Sequence, residues 1–106
     1  MKLSIDYDDT YTKDPILWDL FAQNAITRGH TVYCVSLRNT SNMEQPKQTI
    51  GKIIGVDNCF GTNGRAKREY MLTEHNISVD VWCDDMPDLI GDSLLLLPAS
   101  SMLYRP

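Results

Sequence analysis

Lys2-Leu3-Ser4-Ile5-Asp6-Tyr7-Asp8-Asp9-Thr10 is the stretch that decides how this chain is read. A short strand, Lys2 to Asp6, starts almost at the first residue and runs straight into an acidic turn. Carboxylates crowded at a strand's carboxyl end repel one another until a cation or a proton relieves them, so chemistry is expected there. Working outward, Asp14 and Pro15 supply an N-cap followed by proline at the first helical position. Leu17, Leu20, Phe21 and Ala25 then recur at helical spacing, which predicts a helix packed on a sheet and stopped at Gly29.

The next segment, Thr31 to Ser36, is nearly continuously apolar and β-branched or aromatic, as a central parallel strand covered on both faces must be. Asn39 to Gln45 reads as a loop and Lys47 to Ile54 as a short helix with Ile50, Ile53 and Ile54 on one side. Val56 to Phe60 predicts a third strand, broken by Gly61-Thr62-Asn63-Gly64, and Arg65 to His75 a further helix. Val79 to Cys83 predicts a fourth strand ending in Asp84-Asp85, and Ser93 to Leu97 a fifth, terminated by Pro98. Strands alternating with helices predict an α/β fold: a doubly wound parallel sheet of about five strands with helices on both faces.

The 106 residues, 42% hydrophobic and 23% charged, suit a single domain over residues 1–106. A net charge of −4 argues against a general nucleic-acid footprint, which needs clustered Lys and Arg. The longest uncharged apolar run, Leu94 to Leu97, is far too short to span a bilayer, and no signal-peptide layout opens the chain, so a cytoplasmic protein without a membrane partner is expected. Cys34, Cys59 and Cys83 share no Cys-x-x-Cys spacing and read as free thiols.

Both acidic clusters fall directly after strands that would be central, Ser36 ends another strand, and Lys67 lies in the first turn of the helix after the third. Ligands of open α/β sheets bind outside the carboxyl ends of the strands. Four segments thus aim an acid, a hydroxyl or an ammonium at one rim. Oxygen ligands with no histidine beside them suit a hard ion such as Mg²⁺, which takes one or two carboxylates together with water and phosphate. These residue types together predict a phosphate-plus-metal site in which one carboxylate can attack phosphorus.

The segment Leu3 to Thr10 resembles the first motif of the haloacid dehalogenase superfamily, an apolar strand followed by Asp-x-Asp-x-Thr. The remaining motifs follow in that family's order: the strand ending in Ser36, Lys67 near a helix start, and Val81-Trp82-Cys83-Asp84-Asp85-Met86-Pro87-Asp88. The resemblance covers Met1 to Leu97 and implies a Rossmann-like phosphatase domain with Mg²⁺ as its cofactor. It implies that Asp6 attacks phosphorus to form an aspartyl phosphate. Asp8 protonates the leaving oxygen and then activates water. Thr10 holds the turn, Ser36 donates to a phosphoryl oxygen, and Lys67 neutralises phosphate and nucleophile. Asp84, with either Asp85 or Asp88, completes a metal site with Asp6 and Asp8, the latter through its backbone carbonyl. Arg38, two residues after Ser36, is a substrate-contacting or loop-holding candidate.

Only 25 residues separate Thr10 from Ser36, and 30 separate Ser36 from Lys67, each gap filled by one helix and one strand. Neither can hold the cap domain of larger relatives, and the flap after the first motif shrinks to Tyr11-Thr12-Lys13-Asp14. An open site follows, which in this family goes with larger phosphorylated substrates such as proteins or polynucleotide ends, or with homo-oligomers whose neighbours supply a lid. By analogy with compact relatives, a nucleotide or polynucleotide-end phosphate is the preferred substrate class. The alternatives are a sugar or small-metabolite phosphatase and a non-catalytic binding module. A receiver-like phosphoacceptor fits less well, because its acceptor aspartate follows the third strand and its lysine the fifth. His30 and His75 are assigned no catalytic role, and Trp18 and Trp82 are read as packing residues.

Overall fold

In the computed structural model, which describes residues 1–91, the apolar run Thr31–Ser36 is β2, buried from its second residue onward. With β1 (Lys2–Ile5), β3 (Cys59–Gly61) and β4 (Val81–Cys83) it forms an all-parallel sheet of order β3-β2-β1-β4. Central strands need apolar side chains on both faces. Leu3, Ile5, Val32 and Cys34 accordingly face one core, and Tyr33 and Val35 the other. The expected strand at Ser93 to Leu97, Pro98 and the tail from Ala99 lie outside the described residues. The fold is therefore α/β with a four-stranded parallel sheet among the described residues.

Among the described residues four helices cover this sheet: α1 (Pro15–Thr27), α2 (Glu44–Gln48), α3 (Gly51–Ile54) and α4 (Lys67–His75). α1 packs on the first core through Ala22 and Ala25, α3 through Ile54 and the Ile50 that precedes it, and α4 on the second through Tyr70 and Met71. Trp18 packs against the first and Trp82 against the second, as expected of packing residues. Asp14 Oδ1 accepts the Leu17 amide at 3.1 Å, capping α1 above Pro15. At the other end Gly29 takes φ +91°, and the His30 and Gly29 amides close back on Ala25 and Ile26. That left-handed turn favours glycine and stops the helix.

Several boundaries differ from expectation. Leu17, Leu20 and Phe21 do not face the sheet; they are 53%, 60% and 39% exposed, and α1 approaches through its alanines. Apolar residues occupy more than one stripe of this helix, and the small ones permit the closer approach. The single helix expected over Lys47 to Ile54 is two, because Thr49 leaves helical geometry and its hydroxyl donates to the Gln45 carbonyl at 2.7 Å. Val56–Asn58 is a 3₁₀ turn, and the third strand runs Cys59–Gly61. Gly55 at φ +98° and an Asn58 side chain donating to the Ile54 carbonyl at 2.8 Å hold that turn. α4 begins at Lys67 instead of Arg65, because the Thr62 hydroxyl ties up the Arg65 carbonyl at 2.8 Å. β4 is shorter than Val79 to Cys83, starting at Val81.

The strand order positions the rim. The chain steps from β1 to β2 to β3 in one direction, then crosses to β4 on the far side of β1. Adjacent strands β1 and β4 thus meet at the switch in direction, where ligand crevices form in such sheets. Residues 11–30 are spent on a 3₁₀ turn and α1, and residues 37–58 on turns, α2 and α3, which leaves no cap in either gap. Among the described residues no helix is long and apolar enough to cross a membrane.

Candidate functional site

Ile5 pairs with Cys83 across β1 and β4, so the next residues along each strand, Asp6 and Asp84, leave the sheet side by side. The Asp6 amide still donates to the Cys83 carbonyl at 2.9 Å, which holds the first of these carboxylates at the strand mouth. Lys67, the first residue of α4, reaches up from the other side of the sheet and is only 2% exposed. Its ammonium donates to Asp6 Oδ1 at 2.8 Å and to Asp84 Oδ2. Asp85 completes the group: Asp6, Asp84 and Asp85 each offer a carboxylate oxygen within 4.8 Å of the others. The competing cation Arg65 points outward to Glu74 and Glu69.

One ammonium among three carboxylates leaves a negative surplus. Burial pushes the Asp6 carboxyl up to about 7; Lys67 pulls it down, and the neighbouring Asp84 and Asp85 push it up again. Burial by itself would depress Lys67, yet Asp6 and Asp84 outweigh it and hold the ammonium above its ordinary value. The two directions are compatible because Lys67 divides its charge between two carboxylates and fully offsets neither. A divalent ion with a preference for hard oxygen donors is the natural relief. The donor set here, three carboxylates with no sulfur or imidazole in the cluster, fits Mg²⁺. Asp85, not Asp88, joins Asp84 in this group; Asp88 lies exposed in the Pro87–Leu89 turn.

Thr10 is buried beneath the carboxylates, with its hydroxyl 3.3 Å from both Asp6 Oδ2 and Asp85 Oδ1. One hydroxyl proton serves one of these oxygens at a time, so Thr10 ties the two strand ends together. Ser36, 2% exposed at the end of β2, accepts the Arg38 amide at 3.1 Å and keeps its own proton for donation.

Asp8 stands apart from the carboxylate cluster. Arg38 grips it with two hydrogen bonds, Nε to Oδ2 at 2.9 Å and Nη2 to Oδ1 at 2.8 Å. Hydrogen bonding from Arg38 holds the Asp8 carboxyl below its ordinary value, and the same pair raises Arg38. Tyr7, which lies 5.2 Å beneath the guanidinium, and Gln45 and the Asn42 carbonyl, which accept from it, fix Arg38 in place. Sequence reading missed these three supports. Tyr7 alone carried a signal, as an aromatic inside the acidic turn, whereas Asn42 and Gln45 sit in a polar stretch that says nothing of partners.

Asp6, Asp8, Ser36, Arg38, Lys67 and Asp84 all line one open cleft of about 280 Å³, walled by Leu37, Met86 and Leu89. Asp9 borders it too, but at φ +64° it is foremost the residue that turns the loop. The cleft therefore offers a carboxylate nucleophile backed by an ammonium, a hydroxyl donor, an oxygen-lined cation position and an arginine. That set can bind and attack a phosphoryl group. No family model, no curated protein and no solved structure matches this chain.

Proposed function

We propose that this chain is a magnesium-dependent phosphomonoesterase of the haloacid dehalogenase type, working through an aspartyl phosphate on Asp6. The reading includes a doubly wound, Rossmann-like sheet of about five strands. The observation that carries it is the meeting of Asp6, Lys67, Asp84 and Asp85, drawn from three separate elements to the mouth of β1 and β4. Lys67 holds Asp6 Oδ1, and among the described residues Oδ2 meets only the Thr10 hydroxyl that it shares with Asp85, which makes Oδ2 the freer oxygen for attack. In the reaction an Asp6 oxygen bonds to phosphorus as the ester P–O bond breaks, and the departing alcohol oxygen takes a proton from Asp8. Water then gives a proton to Asp8 and releases phosphate from Asp6. Ser36 and Lys67 donate to the phosphoryl oxygens throughout.

Asp6, Asp84 and Asp85 would hold the ion, with the Asp8 carbonyl beside them. Bound Mg²⁺ supplies the charge that lets a phosphate dianion approach carboxylates. In the free protein Arg38 keeps Asp8 ionised, so Asp8 can donate a proton only when Arg38 turns to another anion. The substrate phosphate is that anion, which gives Arg38 a substrate-binding role. An uncapped cleft suits a phosphate at the end of a larger molecule, and a nucleotide or polynucleotide end is the preferred class over a sugar phosphate. A second reading, a phosphate-binding module without turnover, is favoured by that same Arg38–Asp8 grip, since an acid held ionised supplies no proton.

The test is Mg²⁺-dependent hydrolysis of an aryl phosphate, expected to vanish with chelator and with Asp6→Asn. A panel of nucleoside monophosphates, 3′-phosphorylated oligonucleotides and sugar phosphates then ranks the substrate class. Binding of a metal fluoride phosphate analogue with no turnover of any of them would establish the second reading instead.

A further inference from the structure

Away from the rim, the sheet holds a pair of nucleophilic side chains that phosphate chemistry does not use. Cys34 on β2 and Cys59 on β3 are direct register partners. Partners on neighbouring parallel strands project to the same face with their backbones about 4.8 Å apart. That separation falls inside the range of roughly 4.4 to 6.8 Å between Cα atoms that a disulfide spans. Both side chains lie in the same core, and the Cys59 thiol donates to the Gly55 carbonyl at 3.9 Å. The sheet therefore holds the two sulfurs adjacent and aimed alike, with both thiols free.

The two are not equivalent. Cys34 is fully buried, whereas Cys59 is 7% exposed and sits near the surface of α3. Its Sγ and Val56 Cγ1 border the space above Gly51, 3.2 and 3.6 Å from where a Cβ on that glycine would stand. Val56 and Lys47 line an open cavity of about 530 Å³ on this side of the molecule. Of the two cysteines, only Cys59 keeps any exposed surface, and burial pushes the third thiol, Cys83, up. A sulfur with some exposure and a second, fully buried thiol as its register partner can act as a reactive and a resolving cysteine.

We propose that Cys59 and Cys34 form a peroxide-sensitive dithiol, Cys59 meeting the oxidant and Cys34 resolving it into an intrachain disulfide. The Cys59 thiolate attacks one oxygen of a hydroperoxide, the O–O bond breaks, and Cys59 becomes a sulfenic acid as the other oxygen leaves as hydroxide or alkoxide. The Cys34 sulfur then displaces hydroxide from Cys59, the proton of Cys34 completes a water molecule, and the disulfide forms. Two electrons pass from the two thiols to the peroxide, and a dithiol reductant reverses the change. The bond would tether β2 and β3 two residues short of Ser36 and Gly61, the ends that carry the rim.

The experiment treats the folded full chain with hydrogen peroxide, blocks surviving thiols with a maleimide, and reads intact and peptide masses. The wild-type chain should lose two of its three free thiols, link Cys34 to Cys59 within one chain, keep Cys83 alkylated, and recover all three after dithiothreitol. In Cys59→Ser the loss of the Cys34 thiol should slow by about tenfold or more. In Cys34→Ala a 1,3-diketone should trap Cys59 as its sulfenic acid. Persistence of all three wild-type thiols, prior oxidation of Cys83, or a bridge between two chains overturns the proposal, and the wild-type arm does not depend on any variant folding. An unchanged rate of Cys34 loss in Cys59→Ser overturns it as well.

Discussion

Asp6 illustrates how a site residue works against the stability of the fold that holds it. Its carboxyl is raised from 3.8 to about 7, chiefly by burial. Between those values the metal-free folded chain keeps a proton that the unfolded chain has lost. Stability therefore falls as pH rises through this window and levels off above it. Urea unfolding in chelator should show wild type losing stability relative to Asp6→Asn by up to about 1.4 kcal/mol per pH unit across the window, leaving the variant the more stable at pH 8. Equal pH slopes for the two proteins would place the burden on another group. Asp8 shifts the opposite way, lowered by the Arg38 grip. In Arg38→Ala its titration, followed by carboxyl NMR, should move back up toward 3.8. The ion pair itself should account for less than about 1 kcal/mol of any fall in urea stability, because the Asp8 side chain is 52% exposed.

At the scale of the element, β3 shows how a short strand controls the rim through one glycine. A Cβ on Gly61 would stand 2.6 Å from the Arg38 carbonyl oxygen and 2.9 Å from that of Asn39, both backbone atoms. The loop after β2, which carries Arg38, therefore lies directly against the end of β3. Gly61→Ala should cost roughly 2 kcal/mol or more in urea unfolding, the expense of forcing backbone apart in a packed region. A midpoint within error of wild type would mean that the loop yields freely. α1 teaches a different lesson. Its cap and its stop are local and were readable, but its rotation about its own axis was not. Ala22 and Ala25 turn toward the sheet and leave Leu17 and Leu20 outside, because close approach to β1 and β2 favours the smaller side chains.

For the whole molecule, the Asp6, Asp84 and Asp85 cluster that could hold a cation is assembled only in the folded chain. An ion that binds the native state alone stabilises it, by about 2.7 kcal/mol at a hundred times its Kd. Mg²⁺ should thus raise the Tm of wild type, chelator should reverse the rise, and Asp84→Asn should lose most of it. A rise of equal size in that variant would put the ion elsewhere. The sequence by itself determined where β2 lies, residue for residue, and that Asp6 and Asp84 follow strands, Ser36 closes one and Lys67 stands near a helix start. Apolar runs, caps and left-handed turns are local properties, written in neighbouring residues. Only the tertiary structure decided that Lys67 divides itself between Asp6 and Asp84, that Asp85 and not Asp88 joins them, and that Asp8 turns away to Arg38. Those choices depend on strand order, register and burial, which bring together residues far apart in the chain and set which opposite charge each one meets.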